Sequence, residues 1–276
     1  MRKDYLSPLL NFLVRFAATL SACVILFLVG YILIKGVPNL SPSLFAWKYN
    51  SENVSLMPAL INTLSMTLLS LAMAAPLGIF AAVYLSEYAR RGNELVKVIR
   101  MAAEVLAGVP SIVYGLFGMI FFVVALKWGY SLLAGTCTLT IMILPLIMRT
   151  TEEALLAVPD AYREGSFGLG AGKLRTVFSI VLPSAVPGIL AGIILGIGRV
   201  VGETAALIFT AGTLAEVAGS VMDSARTLSV HMYNLASEGL YINQTYATAV
   251  VLLVLVVLIN ACSGYLAKRM TGGRNG

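Results

Sequence analysis

Residues 149–189 read RTTEEALLAVPDAYREGSFGLGAGKLRTVFSIVLPSAVPGI, a polar, glycine-rich stretch set between two strongly apolar blocks. Pro159 and Asp160 can start a short helix, with Asp160 able to cap it. Ala161–Leu169 then supplies about two turns at roughly 3.6 residues per turn. Gly170 and Gly172 end it, because glycine adopts the left-handed geometry of a sharp turn. An amphipathic segment follows over Leu174–Val181, and Pro183 is expected to break it before the next apolar block. A short helix held stiffly between two apolar blocks can seat on another protein and carry its motion into them. Periodicity alone does not separate that role from a plain connector.

The apolar blocks decide the solvent. Of 276 residues 59% are hydrophobic and only 12% charged, and the mean hydropathy is +0.89. A soluble domain carries about 25% charge. Six segments reach the roughly 20 apolar residues that a membrane-crossing helix needs: 13–34, 59–85, 105–126, 129–148, 186–210 and 247–266. The chain therefore reads as an all-α polytopic membrane protein, a single transmembrane domain over 1–276 with six transmembrane helices. The apolar run after Met1-Arg2-Lys3 is too long for a cleaved signal core and is read as an uncleaved first span.

Lys and Arg accumulate on cytoplasmic loops. With the N-terminus inside, the inner segments hold Arg2, Lys3, Arg15, Arg90, Arg91, Lys97, Arg100, Arg149, Arg163, Lys173, Arg175, Lys268, Arg269 and Arg274. The outer segments hold Lys35, Lys48, Lys127 and Arg226, and Arg199 falls inside a span. Both termini are therefore expected in the cytoplasm, with 149–183 a cytoplasmic loop and 35–58 and 211–245 outside. The second outer loop mixes charge with apolar residues, which suits short interfacial helices. The net charge of +6 is spread over short loops without a basic, aromatic-interleaved stripe, so nucleic acid is not a partner. Cys23, Cys137 and Cys262 lie far apart in apolar segments and read as small buried hydrophobes. His231, the sole histidine, has too few potential ligands nearby for a metal site and reads as a packing or partner contact.

Arg199 and Glu203 stand i,i+4 in a span and are therefore expected to share one helix face. An arginine near mid-bilayer costs about 2.5–3.5 kcal/mol on insertion scales, so it faces a bundle interior or a wet path. Two readings remain open: mutual neutralisation that locks packing, or an anion path held positive by Arg199 with Glu203 positioning it. The guanidinium fork suits tetrahedral oxyanions. Gly192, Gly196 and Gly202 thin this helix for close packing. Arg149, at the inner end of the fourth span, is a weaker candidate for the same path, with snorkelling as its plain explanation.

The 149–183 loop resembles the EAA loop of ABC importer permeases. That pattern is Glu-Ala-Ala, three residues, Gly, nine residues, Ile, one residue, Leu-Pro. Here it falls on Glu164-Gly165-Ser166, Gly170, Ile180 and Leu182-Pro183, with Gly165-Ser166 replacing two alanines. Two further runs, GRVVGETAAL over 198–207 and AGVPSIVYGLFG over 107–118, resemble span signatures of phosphate-specific importers. TLSVHMYNLASEG over 227–239 resembles the A-type (PstA-like) subunit.

The resemblance implies a type I, MetI-like architecture and a bacterial inner-membrane location. It implies pairing with a homologous C-type permease, two cytoplasmic ATP-binding subunits and an extracytoplasmic phosphate-binding protein. Glu164, Gly170, Ile180, Leu182 and Pro183 would then serve ATPase coupling, and phosphate would pass along the permease interface. The chain has no GxxxxGK[ST] loop, so ATP and its Mg²⁺ belong to the partner ATPase, and no cofactor or metal is expected on this chain. Another oxyanion importer, for molybdate, sulfate or phosphonate, is the nearest alternative. An ion-coupled secondary transporter would call for repeated halves or broken helices, which the sequence does not display. A membrane enzyme would call for a catalytic constellation within the spans, and none is visible.

Overall fold

The computed structural model describes residues 6–90 and 92–272. Arg2, Lys3, Arg91 and Arg274 from the charge count lie outside the described residues, as does the side chain of Lys268. Eleven α-helices form the described chain. The long ones are α1 (Leu6–Gly36), α2 (Met57–Val83), α5 (Leu132–Leu156), α8 (Leu182–Val201) and α11 (Ile242–Gly272). Between them lie α3 (Glu94–Ala107), α4 (Ser111–Gly118), α6 (Asp160–Gly168), α7 (Lys173–Thr176), α9 (Ala205–Ile208) and α10 (Leu228–Glu238). Five helical stretches are long and apolar enough to cross a membrane, six if α3 and the α4 stretch are taken as one bent span.

α5 is the hub. α2 and α8 pack along it, α4 and α9 cover its first half, and α3 its last. Its contact with α8 is built on small residues: Gly188 meets Ala154, and Gly192 meets Thr150 one turn on. Such close approach replaces the hydrophobic driving force that lipid does not supply. Several buried hydroxyls are satisfied within their own helices, as where Thr63 donates to the Ala59 carbonyl and Thr138 to that of Ala134. One apolar cluster (Met66, Leu139, Ile143, Ile147, Leu207) fills mid-bundle, and another (Leu155, Val158, Val177, Val181, Ile189) fills the end below the 149–183 loop. α1 packs on α11, where Tyr31 meets Tyr246 edge-on at 5.8 Å, and leaves its other faces open. Cys23 and Cys262 are exposed on these two helices rather than buried, and Cys137 is half-buried.

Several elements depart from the sequence reading, each for a local reason. The helix expected over 105–126 is divided, because Gly108-Val109-Pro110 interrupts it. α3 and the α4 stretch, which a π turn extends to Ala125, meet there at 103°. The helix expected over 186–210 stops at Val201, and Gly202-Glu203-Thr204 is non-helical before α9. Broken helices are thus present where the sequence reading expected continuous ones. Pro183, by contrast, breaks nothing: a π turn over Val177–Val181 absorbs it, and Lys173–Val201 runs as one helical stretch. Asp160 does not cap α6; it accepts a hydrogen bond from Arg163 Nη1 at 3.1 Å.

Candidate functional site

The break after α8 lies in the middle of the bundle. Gly196 faces Ile147 of α5, while Leu207 and Ala211, beyond the break, face Gly135 three turns nearer the start of α5. Irregular backbone at membrane depth persists only where protein buries it or where it borders water. Here protein buries one side of it, and this chain leaves the other side uncovered. On the inner side, the buried Glu203 carboxylate accepts the Ala206 N–H at 3.0 Å, and the Glu203 carbonyl accepts the Ser229 hydroxyl at 2.6 Å. On the other side, Arg199 and Thr204 are half-buried and Gly202 is exposed.

Arg199 and Glu203 are therefore not a pair. Their four-residue spacing presumed a continuous helix, and the chain turns at Gly202 before Glu203 can come round onto the Arg199 face. Among the described residues Arg199 makes no ion pair. It occupies the last turn of α8, where terminal carbonyls favour a cation. Its charge reaches Tyr114 of α4, whose hydroxyl donates to the Leu106 carbonyl at 2.7 Å and so ties α4 across its own bend. Glu203 instead holds the unwound segment in shape.

Arg149 differs. It lies near the opposite end of α5, half exposed, with Glu153 at 3.0 Å and Glu104 at 4.0 Å. Arg100 and Glu152 complete this cluster around a cavity of about 310 Å³. Its charge is already met by carboxylates, which leaves less for a passing anion.

The 149–183 loop is rigidly built. α6 is fixed by Arg163, whose side chain is 15% exposed and whose Nη2 lies 2.6 Å from Glu87, itself 9% exposed, in the π turn Tyr84–Tyr88 after α2. Arg163 also donates to the carbonyls of Val158 (2.7 Å) and Leu155 (2.9 Å) at the end of α5. The hydrogen bonds with Glu87 hold the guanidinium above its usual range. Neither Arg163 nor Glu87 stood out in the sequence as a partner of the other, 76 residues apart. The buried Ser166 hydroxyl, standing where the motif has alanine, bonds that of Thr176 at 2.8 Å. Gly170, at φ +82°, makes the turn the motif requires.

This rigid frame presents an open face. Glu164 and Gly170 are exposed, Leu169 is 91% exposed, and Tyr162, Phe167 and Leu174 are also exposed. Ile180 and Pro183 line a groove of about 890 Å³ beside Pro159 and Tyr162, and Leu182 is half-buried behind them. An apolar surface of this extent on a stiff helix is what a protein partner covers.

Residues 74–272 match the family described as binding-protein-dependent transport system inner membrane component. The chain belongs to that family of ABC importer permeases. It is 40% identical over 211 residues to the phosphate transport system permease protein PstA of Pasteurella multocida, covering 76% of this chain and 74% of that one. It is 35% identical over 238 residues to a probable ABC transporter permease protein, YqgI, of Bacillus subtilis, covering 81% of both. Among solved structures, a bacterial alginate ABC transporter aligns with a TM-score of 0.68 at 15% identity, over 98% of this chain and 99% of that one. The MetNI methionine ABC transporter aligns at 0.59 and 21% identity, over 78% and 94%. The permease subunit is thus a multi-pass, PstA-like membrane protein of MetI-like architecture, and its broken helices occur within an ABC permease rather than an ion-coupled transporter.

Proposed function

We propose that this permease subunit carries inorganic phosphate across the bacterial inner membrane as part of an ATP-driven importer, and that the anion passes the break between α8 and α9. One observation carries the reading. An arginine with no ion-pair partner among the described residues stands beside unwound backbone at mid-bundle, on a face that one chain leaves uncovered. A homologous C-type permease would cover that face and complete the path. PstA relatives support phosphate over molybdate, sulfate or phosphonate.

In this account both termini and the 149–183 loop are cytoplasmic. Glu164, Gly170, Ile180, Leu182 and Pro183 form or frame the surface docked by one of two ATP-binding subunits, which hold the ATP and Mg²⁺. The Arg163–Glu87 link would pass motion of α6 to the ends of α2 and α5. Phosphate would be delivered from outside by an extracytoplasmic binding protein. Arg199 would attract the anion without a tight grip, Glu203 would keep the bend open, and Arg149 would act at most as a weak inner station.

The test is uptake by the assembled complex in proteoliposomes supplied with ATP and the binding protein. Phosphate accumulation, with sulfate and molybdate left outside, is the expected result. Accumulation of another oxyanion without phosphate would overturn the substrate and leave the permease assignment standing.

A further inference from the structure

At the end of the bundle opposite the coupling loop, a second arginine is held in an unusual state. Arg226 is 5% exposed, yet neither its Nε nor its Nη2 has a hydrogen-bond partner among the described residues. Its backbone is pinned on both sides, with its N–H donating to Leu214 and its carbonyl accepting from Asn62 Nδ2. The side chain is left with Tyr49, whose ring lies 4.9 Å from the guanidinium carbon and whose hydroxyl offers it one acceptor. A cation–π contact answers only part of the desolvation of a buried charge. His231, buried alongside and edge-on to Tyr49, also has both ring nitrogens unpartnered. The carboxylate whose charge reaches Arg226 is that of Glu238, which is exposed and makes no ion pair among the described residues.

Arg226 lines a cavity of about 810 Å³ together with Tyr49, Tyr130, Gly212, Thr213 and Ser224. None of the lining residues is acidic. Gly212, at φ +90°, lets the loop pass so close to Ser224 and Tyr130 that a Cβ there would overlap the Ser224 hydroxyl. Ser224 is fixed in turn by donating to the Ala211 carbonyl at 3.0 Å. Ile208 of α9 also borders the cavity, so it lies one short helix beyond the break that holds Arg199.

We infer that the Arg226 cavity is a second oxyanion-binding site, which holds a tetrahedral anion of the inorganic phosphate class at the outer mouth before it reaches Arg199. The inference rests on the proposed direction of transport. A phosphate here would give the guanidinium the hydrogen-bond acceptors the protein withholds, with the hydroxyls of Tyr49, Tyr130 and Thr213 as further donors.

The experiment is equilibrium dialysis of the assembled, detergent-solubilised complex against radiolabelled inorganic phosphate, with the binding protein omitted. An Arg199→Gln background isolates the outer site. Retained binding in that background, weakened at least tenfold by Arg226→Gln, is the expected result. Thr213→Glu changes an exposed lining residue and sets a competing carboxylate beside the guanidinium; it should weaken binding as much, and it carries the test if Arg226→Gln fails to assemble. Phosphate binding indifferent to these substitutions would overturn the site. So would an Arg226→Gln effect confined to docking of the binding protein, which would make the natural occupant a protein carboxylate. Normal phosphate import with such indifference removes the site and keeps the proposed function. A complex that binds sulfate through Arg226 but imports no phosphate keeps the site and removes the phosphate assignment.

Discussion

Replacing Glu87 by glutamine should loosen α6 without unfolding the bundle. Glu87 and Arg163 lie 2.6 Å apart, with side chains 9% and 15% exposed. Breaking such a buried pair by removing one charge costs roughly 3–5 kcal/mol, because the other charge stays behind. Arg163 keeps the carbonyls of Leu155 and Val158 and the exposed Asp160, so the lower end, about 3 kcal/mol, is expected. That corresponds to opening of α6 on the order of a hundredfold more often. Amide hydrogen exchange reads it directly at Leu169, Gly170 and Ala171, whose N–H groups bond to Gly165, Phe167 and Ser166. Arg163→Met should have a similar effect, and the double variant should cost clearly less than the two single changes added together. Exchange within about threefold of wild type would refute the claim that this pair anchors the loop.

Three smaller changes test the packing and the loop. At Gly192 a Cβ would come within 2.7 Å of Thr150 Cβ, whereas at Gly196 nothing lies closer than 3.8 Å. Gly192→Ala should therefore lower stability by about 1–3 kcal/mol and Gly196→Ala should be tolerated, as thermal unfolding of the purified complex would register; equal effects would contradict the α5–α8 seam. Gly165 has open space around its missing Cβ, so Gly165→Ala should slow exchange across α6 by up to about fivefold, the worth of roughly 1 kcal/mol of helix propensity. Burial, and secondarily the Arg226 charge, push the His231 imidazole down to about 3 from its ordinary 6.5. The unfolded chain then takes up a proton that the folded chain refuses, so this contribution is whole above pH 6.5 and drains away as pH falls toward 3. Between pH 7.5 and 5.5 the loss is about 1.4 kcal/mol. It should appear as faster exchange in α10, after correction for intrinsic rates, and vanish in His231→Phe.

Much of this architecture was legible because hydropathy and the bilayer act on whole segments. The short helix α6 and the turn after it could be drawn closely, since Pro159, Gly170 and Gly172 constrain the backbone locally, whereas the expected loop ends at 149 and 183 fall inside α5 and inside the helical stretch Lys173–Val201. What escaped depends on contacts between distant residues. Nothing in a hydropathy profile stops a helix at Val201 when Ile197–Ala206 is small or apolar apart from Arg199, Glu203 and Thr204. The stop is set by Glu203 turning inward to Ala206 and Ser229. The paired-charge reading failed at that point and at no other. The 103° bend had a clearer signal, Gly108 and Pro110 two residues apart. The Arg163–Glu87 link joins two loops 76 residues apart, and no local pattern reports it. Arg226 was visible only as one outer basic residue among four, because its significance lies in burial with its Nε and Nη2 unpartnered among the described residues.

The central claim, that the anion passes Arg199 at the break, is tested most directly by Arg199→Gln in the assembled complex. ATP-dependent phosphate uptake into proteoliposomes would be measured against wild type, with complex assembly and ATP hydrolysis followed in the same preparations. The account predicts uptake lost by at least tenfold, with assembly and hydrolysis retained and partial recovery in Arg199→Lys. Uptake at the wild-type rate in Arg199→Gln would contradict it and leave this arginine a packing residue.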